Sequence, residues 1–331
     1  MKSFTYPLPP DRIAQRPAQP RSAARLLVAT DPGGAVSHAT VADLPSLVEP
    51  GDLIVLNTTR VMPARLRLRK STGAAVEVLV LTLEPDGTGT ALVRPSRRVP
   101  PGTVLLASGE GSGEGVVEDV VEVGHAAGDG QRAIRMLAPL ERHGTIPLPP
   151  YIAAALDDPE RYQTVYADRP GSVAAPTAGL HLTVDVLEAC RHTGAEIATV
   201  DLDVGLATFK PITTATVEEH PMHAERYAVP AATMAAVERA RRVLAVGTTT
   251  LRALESAALG SLEGSTDLFI RRPFSFRVVD LLLTNFHMPR SSLLVLLEAF
   301  CGPRWRDLYD CAMREGYRFL SFGDAMLVAR Q

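Results

Sequence analysis

The sequence predicts an α/β protein with a mainly parallel sheet flanked by helices, interrupted by an inserted small antiparallel β-barrel. Three observations predict it. From residue 184 onward, helix-period and strand-period segments alternate, which implies parallel strands with helices on their faces. Between residues 67 and 146 the pattern changes to short β-type runs separated by Gly-, Pro- and Asp-rich turns, the punctuation of a small barrel or sandwich. Ahead of that stretch, Gly51-Asp52-Leu53-Ile54-Val55-Leu56-Asn57 is a nearly continuous apolar run of the kind a sheet buries on both faces. The expected domains are therefore an α/β domain of residues 1–66 and 147–331 and an inserted β-barrel of residues 67–146.

In chain order, Tyr6-Pro7-Leu8-Pro9-Pro10 reads as an extended arm and Asp11–Gln15 as a short turn of helix. Arg25–Val28 is the first strand. The apolar run 51–57 ends in Asn57-Thr58-Thr59-Arg60, polar groups at a strand's carboxyl end, where open α/β sheets place ligands. Arg65-Leu66-Arg67-Leu68-Arg69 alternates with period two, one face apolar and one carrying guanidinium groups. Strand candidates follow at 75–83, 90–93, 103–106, 116–123 and 132–136. Gly109–Gly115 reads as a flexible loop, since no helix follows it to make a phosphate cradle. After the rigid Pro147–Tyr151 connector, helices are expected at 184–192, 231–241, 291–300 and 304–315. A further helix opens at Gly247-Thr248-Thr249-Thr250 and contains Arg252 and Glu255. Strands are expected at 196–204, 243–246, 276–283 and 318–322.

Composition bounds the class. The chain has 331 residues, enough to bury sizeable cores without covalent staples. Cys190, Cys301 and Cys311 are too few and too scattered for a disulfide framework or a CxxC zinc site, so a reduced, cytoplasmic setting is expected. The start lacks a secretory pattern, and the longest apolar runs, such as Leu293–Leu297, are too short to cross a bilayer. A net charge of −3 argues against a uniformly basic nucleic-acid binder but leaves room for a local basic face. Lysine occurs only at 2, 70 and 210, so nearly all the basic residues are arginine, which codon bias largely explains.

Several blocks look like more than scaffold. Gly171-Ser172-Val173-Ala174-Ala175-Pro176-Thr177-Ala178-Gly179-Leu180-His181-Leu182-Thr183 surrounds one imidazole with small residues, which let a backbone approach a ligand closely. Thr183 is a plausible N-cap, so His181 falls beside a helix N-terminus that favours an anion; a tight loop with a structural histidine is the alternative. Gly247-Thr248-Thr249-Thr250 is a strand–turn–helix junction whose hydroxyls and N–H groups suit a carboxylate or phosphate, or simply cap the helix. His220-Pro221-Met222-His223-Ala224-Glu225 offers two imidazoles and a carboxylate. Pro221 breaks any helix that would align the histidines on a metal, so acid–base work or substrate contact by His223 and Glu225 is the better reading. Thr284-Asn285-Phe286-His287 sets an Asn and a His at a strand end. Asp201 and Asp203 are expected on one strand face.

In combination these blocks resemble the S-adenosylmethionine:tRNA ribosyltransferase-isomerase family of queuosine biosynthesis. The resemblance runs through Tyr6–Pro9, Ile13–Gln15, Gly51–Leu53, Thr59–Leu66, Pro147–Tyr151, Tyr162–Tyr166, Gly171–Thr183, His220–Glu225, Gly247–Ser256, Thr284–Pro289 and Gly323–Met326, in order and from end to end. It implies an α/β domain interrupted by a small β-barrel. It implies transfer and isomerisation of the ribosyl group of S-adenosylmethionine onto 7-aminomethyl-7-deazaguanine at the wobble position of tRNA, giving epoxyqueuosine, adenine and methionine. S-adenosylmethionine is then a co-substrate and pentose donor, no metal is implied, and tRNA is the partner of a protein expected to be a monomer. The resemblance nominates His181, His223, Glu225 and His287 for proton transfer. Arg252, Thr248 and Thr249, with Gly247, are nominated for the methionine carboxylate. Thr177, Gly179, Asn57, Arg60 and Asp324 complete the donor contacts.

The chain departs from the family pattern in places. Where Leu-His-Val-Gly-x-Gly-Thr-Phe is usual, it has Leu202-Asp203-Val204-Gly205-Leu206-Ala207-Thr208-Phe209, with a carboxylate for an imidazole and a methyl for a glycine hydrogen. Asn57-Thr58-Thr59 stands where Asn-Asp-Thr is common, and arginine replaces a lysine near Arg97-Arg98. Two alternatives follow: a family member that uses a small 7-deazapurine or other amine in place of tRNA, and a non-catalytic RNA-binding homologue.

Overall fold

Leu53–Leu56 carries no polar side chain, and Asp52–Asn57 accordingly forms an inner strand with all six residues buried. The computed structural model describes residues 2–31, 33–107, 117–205 and 211–331. Two compact units emerge from it. One comprises Met1–Arg60, Pro149–Arg169 and Ala175–Gln331; the other comprises Val61–Leu148 and Pro170–Ala174.

The larger unit is built on a nine-stranded sheet. Its spatial order is Glu263–Thr266, Glu225–Ala228, Glu196–Leu202, Asp52–Asn57, Arg242–Val246, Leu281–Asn285, Ala325–Ala329, Arg25–Ala29 and Ser37–Thr40. The four strands from Glu196–Leu202 through Leu281–Asn285 are parallel, and Ala325–Ala329 pairs in parallel with Arg25–Ala29. The remaining pairs are antiparallel, so the sheet is mixed, with its parallel strands inside. Helices Val184–His192, Ala231–Arg239, Thr248–Ala258, Ser292–Cys301 and Trp305–Arg314 accompany it. Thr183 caps the first through Val186 N–H at 3.2 Å, and Ser291 caps the fourth through Leu294 N–H at 3.2 Å. Leu26, Ile54, Leu244, Val246, Leu283 and Leu327 from five strands pack with Leu182, Val186 and Leu187 in one core.

The smaller unit contains a closed barrel. Arg65–Arg69, Ala75–Leu83, Thr88–Arg94, Arg132–Met136, Glu118–Ala126 and Thr103–Ala107 follow one another around the ring, and pairing of Arg69 with Leu106 completes it. Closure leaves no exposed sheet edge among these six strands. The period-two reading of the first strand holds: Leu66 and Leu68 are buried, while Arg67 and Arg69 are exposed. The loop Gly109–Gly115 lies outside the described residues.

Three strand expectations are corrected. The expected strand 276–283 is Leu281–Asn285, because the N–H groups of Arg277, Val278 and Val279 go to the Glu255 carboxylate instead of a ladder. The expected strand 318–322 is a turn in which Leu320 has φ +67° and Phe319 makes a lone bridge to Ile13. The true final strand is Ala325–Ala329, after Gly323-Asp324. The strand read as 196–204 ends at Leu202, so Asp203 lies beyond it.

Candidate active site

The 281–285 strand delivers Thr284 and Asn285, and then His287, at its carboxyl end. The Asn285 amide is the hub. Its Nδ2 donates to the Leu320 carbonyl at 3.2 Å and to His181 Nε2 at 2.9 Å, and its Oδ1 accepts from the Thr177 hydroxyl at 2.9 Å. A carbonyl can only accept, so Leu320 fixes which way the amide faces. His181 Nε2 therefore meets an N–H donor and keeps its lone pair, and the ring proton resides on Nδ1. Burial pushes the His181 imidazole down to about 4; Asp324 opposes the shift, and Arg318 and Arg21 add to it. Thr177–His181 is a short 3₁₀ turn leading into the Thr183-capped helix.

His287 is held from two sides. Its N–H donates to the Tyr309 hydroxyl at 2.7 Å, and its carbonyl accepts from the Tyr6 hydroxyl. Its Nε2 lies 3.0 Å from the Thr284 hydroxyl, and burial lowers its pKa to about 3. Tyr6, Phe286, Trp305, Tyr309 and Phe319 pack edge-on or tilted with centroids 4.8–6.5 Å apart, which anchors the Tyr6-Pro7-Leu8-Pro9 arm here. A cleft opens above these groups, with Tyr151, Thr177, Asn285, His287, Ser291 and Ser321 as its polar lining. The Tyr151 and Ser321 hydroxyls lie 2.7 Å apart. His181 stands behind Asn285 and does not line the cleft.

A second cavity shares Leu293 with the first. Its lining includes His220, Met222, His223, Glu225, Arg252 and Phe269. Glu225 and Arg252, 8% and 5% exposed, form an ion pair. Glu225 Oε1 also accepts from Gly205 N–H at 2.9 Å; Arg252 Nε and Nη2 donate to the carbonyls of Leu268 at 3.2 Å and Thr266 at 3.3 Å. His223 is exposed, whereas Glu225 is buried at the start of the strand Glu225–Ala228. Burial lowers the His220 pKa, with His223 adding to the shift.

The other nominated residues fall into three groups. Gly247 has φ +92°, and a Cβ there would come within 3.7 Å of Ala178, so the junction Gly247–Thr250 abuts the Thr177–His181 turn. Thr248 and Thr249 are buried in the first turn of their helix. Gly179 is required for another reason: a Cβ would lie 2.0 Å from the Tyr166 hydroxyl. Asn57 and Asp324 spend their polar atoms on the scaffold. Asn57 brackets Leu202 through its N–H at 3.1 Å and its carbonyl at 3.0 Å, and Asp324 accepts from Arg25 N–H at 3.1 Å and Arg318 N–H at 2.8 Å. Arg60 pairs with Glu160 at the surface. Burial raises the Asp203 pKa and Arg226 opposes it, while Leu206–Phe209 lie outside the described residues. Among the described residues, no group of three or more His, Cys, Asp and Glu is arranged to hold a metal ion.

Sequence reasoning did not nominate Tyr6, Tyr151, Tyr309 or Ser321. Tyr6 and Tyr151 lie in proline-rich segments whose only local signal is extension, and Tyr309 reads as core on an amphipathic helix.

A mixed α/β sheet with a polar cleft at its strand ends, and a barrel inserted in its chain, is the frame in which the comparisons place an enzyme. The family model described as queuosine biosynthesis protein matches residues 1–328. The chain belongs to that family. It is 49% identical to S-adenosylmethionine:tRNA ribosyltransferase-isomerase of Thermus thermophilus over 343 aligned residues, covering 99% of each chain. The enzyme of the same name from Moorella thermoacetica is 48% identical, again over 99% of each chain. Among solved structures, S-adenosylmethionine tRNA ribosyltransferase from Thermotoga maritima is 35% identical, with a TM-score of 0.55 over 98% of this chain and 99% of that one. Among the described residues, no helix is long and apolar enough to cross a membrane.

Proposed function

We propose that this protein transfers and isomerises the ribosyl moiety of S-adenosylmethionine onto 7-aminomethyl-7-deazaguanine at the tRNA wobble position. The products are epoxyqueuosine-tRNA, adenine and methionine. The observation that carries the reading is end-to-end similarity to enzymes of that name, joined to the meeting of four motif blocks around the cleft.

The sulfonium of the donor acidifies its C5′ protons, adenine leaves with a proton, and the attacking amine must be neutral. The cleft residues suit the nucleoside end of that donor. His287, Thr177 and Asn285 offer an imidazole, a hydroxyl and a fixed amide on one wall, and His287 is the proton-transfer group of the cleft. Burial keeps it neutral at pH 7, so the ring does not repel the cationic donor. His181 acts through Asn285, as a positioning residue that holds the amide. No protein metal or further cofactor enters this scheme.

The experiment is to incubate the protein with S-adenosylmethionine and tRNA carrying the aminomethyl base, then to weigh the digested nucleosides and measure free adenine. Epoxyqueuosine formed in step with adenine is expected. Modification of the free 7-deazapurine with unmodified tRNA would replace the tRNA acceptor by a small molecule, and absence of both products would sink the assignment.

A further inference from the structure

We infer that the second cavity is a receptor for an α-amino-acid zwitterion, with Arg252 taking the α-carboxylate and Glu225 the α-ammonium of the donor's methionine end. The identity of the donor rests on the proposed function; the ligand chemistry rests on the cavity itself.

Two opposite charges lie side by side in its wall, each more than nine-tenths buried. Each is held in place by backbone: Glu225 by Gly205 N–H, Arg252 by the Thr266 and Leu268 carbonyls. Of the five guanidinium N–H donors, the contacts to Glu225, Thr266 and Leu268 use three. A ligand bearing a single charge would leave one member of the pair facing its own sign at low dielectric. A zwitterion adds no net charge and matches both members at once, because its ammonium and carboxylate hang from one carbon. Beside His220, His223 and Ser292, the rest of the wall is apolar, and Met222, Leu268, Phe269, Leu293 and Leu296 suit a short thioether chain. Leu293 also lines the neighbouring cleft, so the two spaces adjoin at that side chain. Glu225 is thereby a substrate-binding carboxylate and not a proton carrier.

The test uses the wild-type protein first. Adenine release from S-adenosylmethionine is measured against three competitors: L-methionine, 3-(methylthio)propylamine, which lacks the carboxylate, and 4-(methylthio)butanoate, which lacks the ammonium. Competition by methionine is expected to be stronger than by either fragment by about 30-fold or more, the size of leaving one buried charge unmatched. Equal competition by all three overturns the proposal.

The second arm compares S-adenosylmethionine with its decarboxylated analogue in wild type and Arg252→Lys. Wild type should prefer the full donor, and Arg252→Lys should lose most of that preference while its KM for the full donor rises more than its kcat falls. A preference that survives Arg252→Lys overturns the carboxylate assignment. Nucleosides are weighed in the same reactions. Ribosyl transfer with indiscriminate competition removes the receptor alone; methionine-selective adenine release with unmodified tRNA removes the proposed transfer and leaves the receptor standing.

Discussion

The cleft wall around Asn285 and the enclosed carboxylate of Glu255 are equally hidden from solvent and chemically opposite. Glu255 is 0% exposed and accepts three backbone N–H groups, from Arg277, Val278 and Val279, at 2.9–3.1 Å. Its charge replaces a missing sheet ladder. Asn285 is 3% exposed, yet its partners include two side chains, Thr177 and His181, and it borders a cleft. Burial alone therefore does not mark a working polar group. A carboxylate surrounded by its own backbone serves the fold, whereas side chains fixed by one another beside a void can serve a ligand.

The sharpest way to break this comparison is His287→Ala. Turnover is expected to fall roughly 10²–10⁴-fold, the range for a lost general acid or base, with donor affinity much less affected. Steady-state kinetics beside a donor-binding titration checks it, and turnover within a few-fold of wild type would return His287 to a packing role. His181→Ala should cost less, about 10-fold, and chiefly in turnover, since it loosens Asn285 without touching the donor.

Glu255→Ala should show the reverse signature. Three N–H groups lose their acceptor, and unfolding free energy should drop by about 3 kcal/mol or more, while activity per folded molecule survives. Urea melts paired with activity measured at low temperature separate the two. A stable but inactive variant would erase the distinction drawn here.

A smaller effect is expected from acid. Folded, His181 and His287 stay neutral down to about 4 and about 3, but in the unfolded chain both protonate near 6.5. The unfolded state therefore binds the extra protons. Stability is unaffected above about pH 6.5 and declines as pH falls toward 4, by about 1.4 kcal/mol per pH unit per histidine. Denaturation at pH 7.5, 6 and 5 should give a shallower slope for His181→Gln than for wild type.

How far was this legible in the sequence? Helix Val184–His192 was readable to its ends, because Thr183 caps it and a glycine, Gly194, follows. The barrel strands were readable because alternation and turn residues are local signals. Strand Ala325–Ala329 was not, since Arg318–Phe322 offers a comparable apolar run and only the Asp324 clamp shows that the run is a turn. The motif blocks of the site were readable one by one. Their partners were not: Tyr6 reaches His287 across 281 positions, and Asn285 finds Leu320 across 35. No periodic pattern encodes such pairings.

The smallest predicted effect concerns the barrel. Arg67, Arg69, Arg97 and Arg98 are exposed there, in contrast to the buried Arg252. If they touch tRNA phosphates, each contact contributes roughly −0.7 to −0.9 to the slope of log affinity against log salt. Replacing Arg97 and Arg98 by alanine should flatten that slope by about one to two units with little change in adenine chemistry per bound tRNA. An unchanged slope would assign tRNA to another surface.

The contact between Gly179 and the Tyr166 hydroxyl has a consequence for how this sequence can drift. A methyl at 179 would sit 2.0 Å from the Tyr166 hydroxyl and 3.0 Å from Thr164 Cγ2, so the tyrosine ring must move to admit it. The positions are coupled, and Gly179→Ala alone should be destabilising. Shortening the side chain at 166 should therefore restore the stability lost in Gly179→Ala, as thermal melts of the single and double variants would show.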